Sequence, residues 1–346
     1  MTTPVTGREP ANAGAAVRVH DLSITFPTMD GDVHAVDRLS FEVAPGGALG
    51  IVGESGSGKS AASLALMGLH RGTSARITGH VTVVGTDLVS TEPPLDAAGA
   101  PIAETDEHGR WVGGDGAPRE PRVTHASDAQ IRALRGNEIA MVFQDPMSSL
   151  HPQYTIGDQL MEAYRTHRPG AGTAAARQRA VESLERVGIP EAGKRINSYP
   201  HEFSGGMRQR VLIAMGLMCE PKVLLADEPT TALDVTVQAQ ILDLLDDLRQ
   251  DLGMSLILVS HDLAVVAGSV DEVLVMQNGR AVEHGEVRRV LSRPEHPYTR
   301  SLLAAVPRTE VSRAERRALI RAERQERDGG AEAGGASSAA KSAAEA

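Results

Sequence analysis

Gly53-Glu54-Ser55-Gly56-Ser57-Gly58-Lys59-Ser60, entered from the apolar run Ala48-Leu49-Gly50-Ile51-Val52, is the stretch from which the rest of the chain is read. Its pattern is G-x-x-x-x-G-K-[ST]. The glycines let successive backbone N–H groups turn inward onto an anion, Lys59 reaches β- and γ-phosphates, and the Ser60 hydroxyl can ligate Mg²⁺. The spacing predicts a helix over about 59–68, whose positive N-terminal end would face the same phosphates. A Gly/Ser turn that binds nothing is the bland alternative, and the flanking strand and helix argue against it.

Composition sets the frame around this loop. The 346 residues, 41% of them hydrophobic, suffice for one large domain or two modest ones. With 35 basic and 45 acidic residues the net charge is -10, which argues against a nucleic-acid surface and against charge-driven membrane binding. One cysteine, Cys219, leaves no intramolecular disulfide framework; it fits a reducing cytosol and reads as a small buried apolar residue ahead of a strand. Residues 1–16, rich in Thr, Pro and Gly without an apolar segment, read as a disordered leader and not as a signal peptide. No window reaches the roughly eighteen uncharged apolar residues of a membrane span. The best, 256–276, is broken by His261, Asp262, Asp271 and Glu272. A soluble chain is expected, with any membrane role supplied by partners.

Taken in order, residues 17–26 and 33–43 alternate as strands of an antiparallel sheet, with a turn at Met29-Asp30-Gly31-Asp32. Phe26 stands in that sheet, and an aromatic this far upstream of a phosphate loop either stacks on adenine or packs in the core. Residues 77–84 resemble a further strand. Residues 90–126, rich in Gly, Pro, Asp and Glu around the single tryptophan Trp111, read as an inserted, largely disordered loop, or else as a partner-docking element. Ser127 caps a short helix over 128–134, and residues 139–143 form a buried strand ending on Gln144. A glutamine there can reach Mg²⁺ or an attacking water. From 155 to 188 the period turns helical, as a separate lobe.

That lobe ends in Ser204-Gly205-Gly206-Met207, before an apolar helix over 211–219. Ser204 is a good N-cap and the two glycines leave N–H groups for an anion: a plain helix start, or a second phosphate contact. Val223-Leu224-Leu225-Ala226 then delivers Asp227 and Glu228 to the end of a buried strand. Asp227 would sit by Mg²⁺ and Glu228 would polarise a water for in-line attack; the rival reading is a solvated acidic turn. Thr231-Ala232-Leu233-Asp234 opens a helix over 235–252, and a core strand over 256–260 ends on His261, either structural or a γ-phosphate contact.

In this order and spacing, 53–60, Gln144, Ser204 to Met207, Asp227-Glu228, Ala232-Leu233-Asp234 and His261 resemble the Walker A, Q-loop, signature, Walker B, D-loop and H-loop of ABC-transporter ATPases. The resemblance covers about 17–307. It implies an α/β fold of P-loop NTPase type with a RecA-like core, an antiparallel β subdomain and an inserted helical subdomain. The corresponding division is an ABC ATPase domain over 17–308: core and β subdomain about 17–144 and 221–285, insertion 90–126, helical subdomain about 145–220, and a C-terminal segment 286–308. Residues 309–346, charged and then Ala/Gly/Ser-rich, read as a frayed helix and disordered tail. Phe143-Gln144-Asp145-Pro146-Met147-Ser148-Ser149-Leu150, residues 203–211 and 226–241, and His296-Pro297-Tyr298-Thr299-Arg300-Ser301-Leu302-Leu303 look like the ATPases of bacterial dipeptide, oligopeptide and nickel importers.

The resemblance implies ATP and Mg²⁺ as ligands. ATP would contact Phe26, Gly53, Glu54, Ser55, Gly56, Ser57, Gly58, Lys59, Ser60, Gln144 and His261; Mg²⁺ would contact Ser60, Gln144 and Asp227. Glu228 would be the base, aided by Gln144 and His261. Ser204, Gly205, Gly206 and Met207 would cover the ATP of a second ABC ATPase, with Asp234 in the D-loop between them. Two permease subunits, and indirectly an extracytoplasmic substrate-binding protein, complete the implied assembly at the cytoplasmic face of the membrane, with no nucleic acid. Many relatives carry an iron-sulfur cysteine cluster after the His-Pro-Tyr-Thr-Arg segment; this chain has no cysteine beyond Cys219, so no cluster is expected. Cargo stays open between peptides, nickel and oligosaccharides. The rivals are a non-transport ABC ATPase acting on ribosomes or DNA, and a regulatory subunit with a degenerate site.

Overall fold

Two sheets, packed on either side of the phosphate-loop helix, organise the chain. The computed structural model describes residues 14–92, 101, 103–105, 111–113, 122–144, 146–231 and 233–305. The first sheet is antiparallel, in the order Gly31–Val43, Val17–Thr28, Arg76–Val83, Thr86–Glu92, Arg122–His125. Along Val17–Thr28 the buried positions are Val17 and Val19 and then Leu22 and Ile24, a change from odd to even numbering. A register shift between Val19 and Leu22, with Asp21 at φ 49°, absorbs the extra residue and returns the apolar side chains to one face.

The insertion departs from its sequence reading. Its first and last residues are strand: Val89 pairs with His125 and Thr91 with Val123, so 90–92 and 122–125 extend the antiparallel sheet. Within it, Ala103–Thr105 and Trp111–Gly113 pair as a small hairpin. Leu88, Val89 and Thr91 are buried, and this half-polar alternation is held by strand partners that no local period announces. Most of its other residues, where a docking element would fall, lie outside the described ones, as do most of the leader and all of 309–346.

The second sheet runs Arg280–Glu286, Glu272–Gln277, Ala48–Val52, Ser255–Ser260, Val223–Asp227, Ile139–Val142. All neighbours are parallel except the first pair. Its central strands are wholly buried, and alternate residues serve different cores. Leu224, Ala226, Leu256 and Leu258 face a cluster shared with the helices, whereas Val223, Leu225, Ile257 and Val259 face one shared with the antiparallel sheet. That two-sided burial explains why the strands read as unbroken apolar runs. The hairpin Glu272–Glu286 is not singled out in the sequence.

The helical lobe comprises Pro146–Ser149, Ile156–His167, Thr173–Arg186, Ala192–Arg195 and Gly205–Leu217. Ile156, Leu160, Leu184 and Ile196 are fully buried at its centre, each contributing about 1.5–3 kcal/mol. Buried Gln159 donates to the carbonyls of His151 and Tyr154 and accepts from His151 N at 2.8 Å, which fixes the connection after Gln144. Two C-terminal helices, Val287–Ser292 and Pro297–Ala305, return to the core through Val290, Leu291 and Tyr298. No helix among the described residues is long and apolar enough to cross a membrane.

Candidate functional site

Register gathers the predicted residues. Val52 is level with Ser260, Asp227 with Val259, and Ala226 with Val142, so four parallel strands end along one edge. From that edge emerge Gly53, His261, Glu228 and, after Phe143, Gln144. Ligands of open α/β sheets bind at such carboxyl ends, near the point where strand order reverses.

The phosphate loop is shaped by close packing. Gly58 has φ 98°, and a Cβ there would stand 2.2 Å from the Ala35 carbonyl oxygen. Only glycine fits both the angle and the space. The helix Lys59–Leu66 starts without a side-chain cap, which leaves its first N–H groups to an anion. Lys59 Nζ donates to Gly53 O at 2.7 Å and Glu54 O at 2.8 Å. Burial lowers the Lys59 pKa, while the carboxylates of Glu228 and Asp227 act the other way.

The carboxylate pair divides by environment. Burial raises the Asp227 pKa and the Glu228 charge adds to it, against the Ser60 hydroxyl and Lys59. One Asp227 oxygen, Oδ1, is buried with no hydrogen-bond partner. An orphaned carboxylate oxygen beside a serine hydroxyl is a donor set that fits a hard divalent cation. Glu228 stands in the left-handed region at φ 47°, a conformation that costs free energy and clusters at working sites. Its Oε2 accepts from Gln144 Nε2 at 2.9 Å and Thr231 Oγ1 at 3.0 Å, and lies 3.3 Å from His261 Nδ1. The three predicted residues Glu228, Gln144 and His261 thus meet at one oxygen. Thr231 was not given a role from the sequence; its signal is a hydroxyl residue three positions beyond the carboxylate, in the same turn.

Other predicted residues lie elsewhere. Ser204 is exposed, and its hydroxyl accepts from Met207 N at 3.3 Å as the cap of Gly205–Leu217. Gly206 lies so close to Val237 that a Cβ would come within 2.6 Å of Val237 Cγ1. Asp234 caps its own helix, accepting from Thr236 N and Val237 N. Phe26 is half-buried beside the antiparallel core, its ring edge-on to His70 with centroids 5.6 Å apart. Cys219, expected to be buried, is instead half-buried in the wall of a groove of about 500 Å³ lined also by Met67, Met141, Phe143 and Met215. Burial raises its thiol pKa, against Arg168 and Arg179.

Comparison with known proteins agrees with this geometry. The ABC transporter family matches residues 36–231, and the family of oligopeptide/dipeptide transporter C-terminal regions matches 282–332. The chain is 46% identical over 306 residues to the oligopeptide transport ATP-binding protein OppD of Salmonella typhimurium, covering 88% of this chain and 80% of that one. It is 44% identical to the dipeptide transport ATP-binding protein DppD of Escherichia coli, over 85% of this chain and 79% of that one. Among solved structures, a dimeric post-hydrolysis state of the ATP-binding cassette MJ0796 bound to ADP and Pi aligns with TM-score 0.60 at 24% identity, covering 78% of this chain and 98% of that one. The cbiO1 protein of Clostridium perfringens, part of the ABC transporter complex cbiONQ, aligns with TM-score 0.60 at 25% identity, over 86% of this chain and 98% of that one. A phosphate loop, a carboxylate pair and a histidine at one sheet edge, followed by the matching C-terminal region, place this chain in its family: it belongs to the ATP-binding subunits of the oligopeptide/dipeptide branch of ABC transporters.

Proposed function

We propose that this chain binds MgATP at residues 53–60 and hydrolyses it, within a pair of ABC ATPases, to power uptake of di- or oligopeptides through two separate permease subunits. The observation that carries the reading is the convergence of Gln144, Thr231 and His261 on the Glu228 carboxylate. A carboxylate held in place by these neighbours stays aimed while it takes a proton from water attacking in line. Lys59, whose charge is felt by Asp227 and Glu228, is the cation for the β- and γ-phosphates, and Ser60, Asp227 and the Gln144 amide carbonyl would hold Mg²⁺. When bound, Mg²⁺ neutralises charge developing on the phosphate oxygens.

The exposed start of Gly205–Leu217 supports pairing in trans. Ser204, exposed at the cap of this helix, and Gly205 and Gly206 after it would cover ATP held by a second ATPase, with Asp234 in the D-loop between the two. The methionine-lined groove next to Gln144 supports permease docking, since flexible thioether side chains suit apolar helices of a partner. Phe26 would then meet adenine by turning its free face to the nucleotide. The chain would sit peripherally on the cytoplasmic side of the membrane, and an extracytoplasmic binding protein would choose the cargo.

Purification of tagged protein from gently solubilised membranes tests the assembly. Two polytopic permeases and a second ATPase are expected with it; recovery with ribosomes or nucleic acid alone would refute the transport reading. Uptake of labelled peptide by vesicles rebuilt from these subunits, with ATP inside, tests the cargo.

A further inference from the structure

The peptide bond between Gly53 and Glu54 is held at both polar ends. Its carbonyl oxygen accepts from Lys59 Nζ at 2.7 Å, and its N–H donates to the Tyr298 hydroxyl at 3.0 Å. Tyr298 comes from the helix Pro297–Ala305, 244 residues further along, and is only 8% exposed, with its side chain in the core shared with the other helices. The segment that presents it is tied down separately. Glu283, on Arg280–Glu286, accepts from Glu295 N and His296 N, both at 3.0 Å, and His296 Nδ1 accepts from Tyr298 N at 3.2 Å. Burial works against the Glu283 charge, yet these N–H donors keep its carboxyl below the ordinary glutamate range.

The two ends of that peptide differ in kind. Lys59 is a long, mobile cation suited to phosphate, so its hold on the Gly53 carbonyl competes with its role in nucleotide binding. The phenol is rigid, and its contact to the Glu54 N–H competes with nothing. We infer that Tyr298 is a positioning residue for ATP: its hydroxyl fixes the peptide at the entry of the phosphate loop, so that the following N–H groups stay turned toward the anion, and the C-terminal segment thereby sets nucleotide affinity. This rests on the reading of the loop as the ATP site.

The test compares the full-length wild type with Y298F, which keeps the buried ring and removes the hydroxyl, and with E283Q, which loosens the turn that seats it. Binding of ADP and of a non-hydrolysable ATP analogue, both with Mg²⁺, is measured by calorimetry at a temperature where all variants are folded, together with steady-state ATPase rates. Y298F is expected to bind about three- to tenfold more weakly, the range for loss of one hydrogen bond, with the loss falling in KM more than in kcat. E283Q shifts affinity in the same direction by less. A merely structural Tyr298 would lower the thermal midpoint and leave the affinity of folded protein unmoved. Unchanged affinity in Y298F, or in E283Q should Y298F fail to fold, overturns the inference. A wild type that binds neither nucleotide overturns the ATP reading itself.

Discussion

Gln144 and Glu228 are 84 residues apart in the chain and joined by a 2.9 Å hydrogen bond. The first sits after the edge strand Ile139–Val142, the last of its sheet, on the connection that leads into the helical lobe; the second ends the neighbouring strand. A movement of that lobe would therefore reach the carboxylate proposed as the base through Gln144.

Glu228→Gln removes the carboxylate proposed as the base while keeping its shape. ATP hydrolysis is expected to fall about 10²–10⁴-fold with nucleotide binding retained, read by phosphate release and calorimetry. Wild-type turnover in this variant would dismiss Glu228 from the chemistry.

Lys59→Ala deletes the cation that the loop holds at Gly53 O and Glu54 O. Affinity for ATP should drop about ten- to a hundredfold, the range for a charged hydrogen-bonding group. Titration of both proteins with a fluorescent ATP analogue decides it.

Gly58→Ala places a methyl group against the Ala35 carbonyl in a backbone conformation that L-residues disfavour. A stability loss of at least about 2 kcal/mol is expected from denaturant unfolding. A variant as stable as wild type would mean that the loop and the strand Gly31–Val43 part without cost.

Asp227→Asn separates stability from function. Burial, aided by Glu228, lifts the Asp227 pKa, so the fold favours the protonated acid. Its favourable contribution is full below the unfolded value and is lost as pH rises through the folded value; at neutral pH the buried charge is therefore destabilising. The Asn variant should melt higher than wild type at pH 7, with the gap closing toward acid pH, and should lose hydrolysis. A lower midpoint at pH 7 would contradict the sign.

Cys219 supplies a clean reporter because it is the single cysteine. Its raised thiol pKa and half-buried place in the groove predict slow maleimide labelling of the folded chain, followed by mass spectrometry. Labelling as fast in the permease-bound complex as in the free chain would remove the groove as the docking face.

The sequence discloses the site better than its surroundings. The loop 53–60, Gln144, Glu228 and His261 were legible because each follows a short apolar run, and parallel strands buried on both faces leave that mark. Capping was legible at Ser127, which accepts from Gln130 N, and at Ser204, which caps the helix it precedes. Thr231 was seen as part of the helix start and not as a donor to Glu228, since nothing local tells which way a turn hydroxyl points. Tyr298 was visible only as part of a motif, because a contact spanning 244 residues has no local signature. The strands bounding the insertion were missed for a related reason: Thr91 and Val123 belong to a sheet through partners, in a stretch whose composition reads as loop.

Leu224 and Leu225 are consecutive residues that face opposite cores, one shared with the helices and one with the antiparallel sheet. Sequence neighbours in these strands therefore pack under separate constraints. A change of side-chain size at Leu224 or Ala226 is therefore felt by the helices, whereas one at Val223 or Leu225 is felt by the antiparallel sheet.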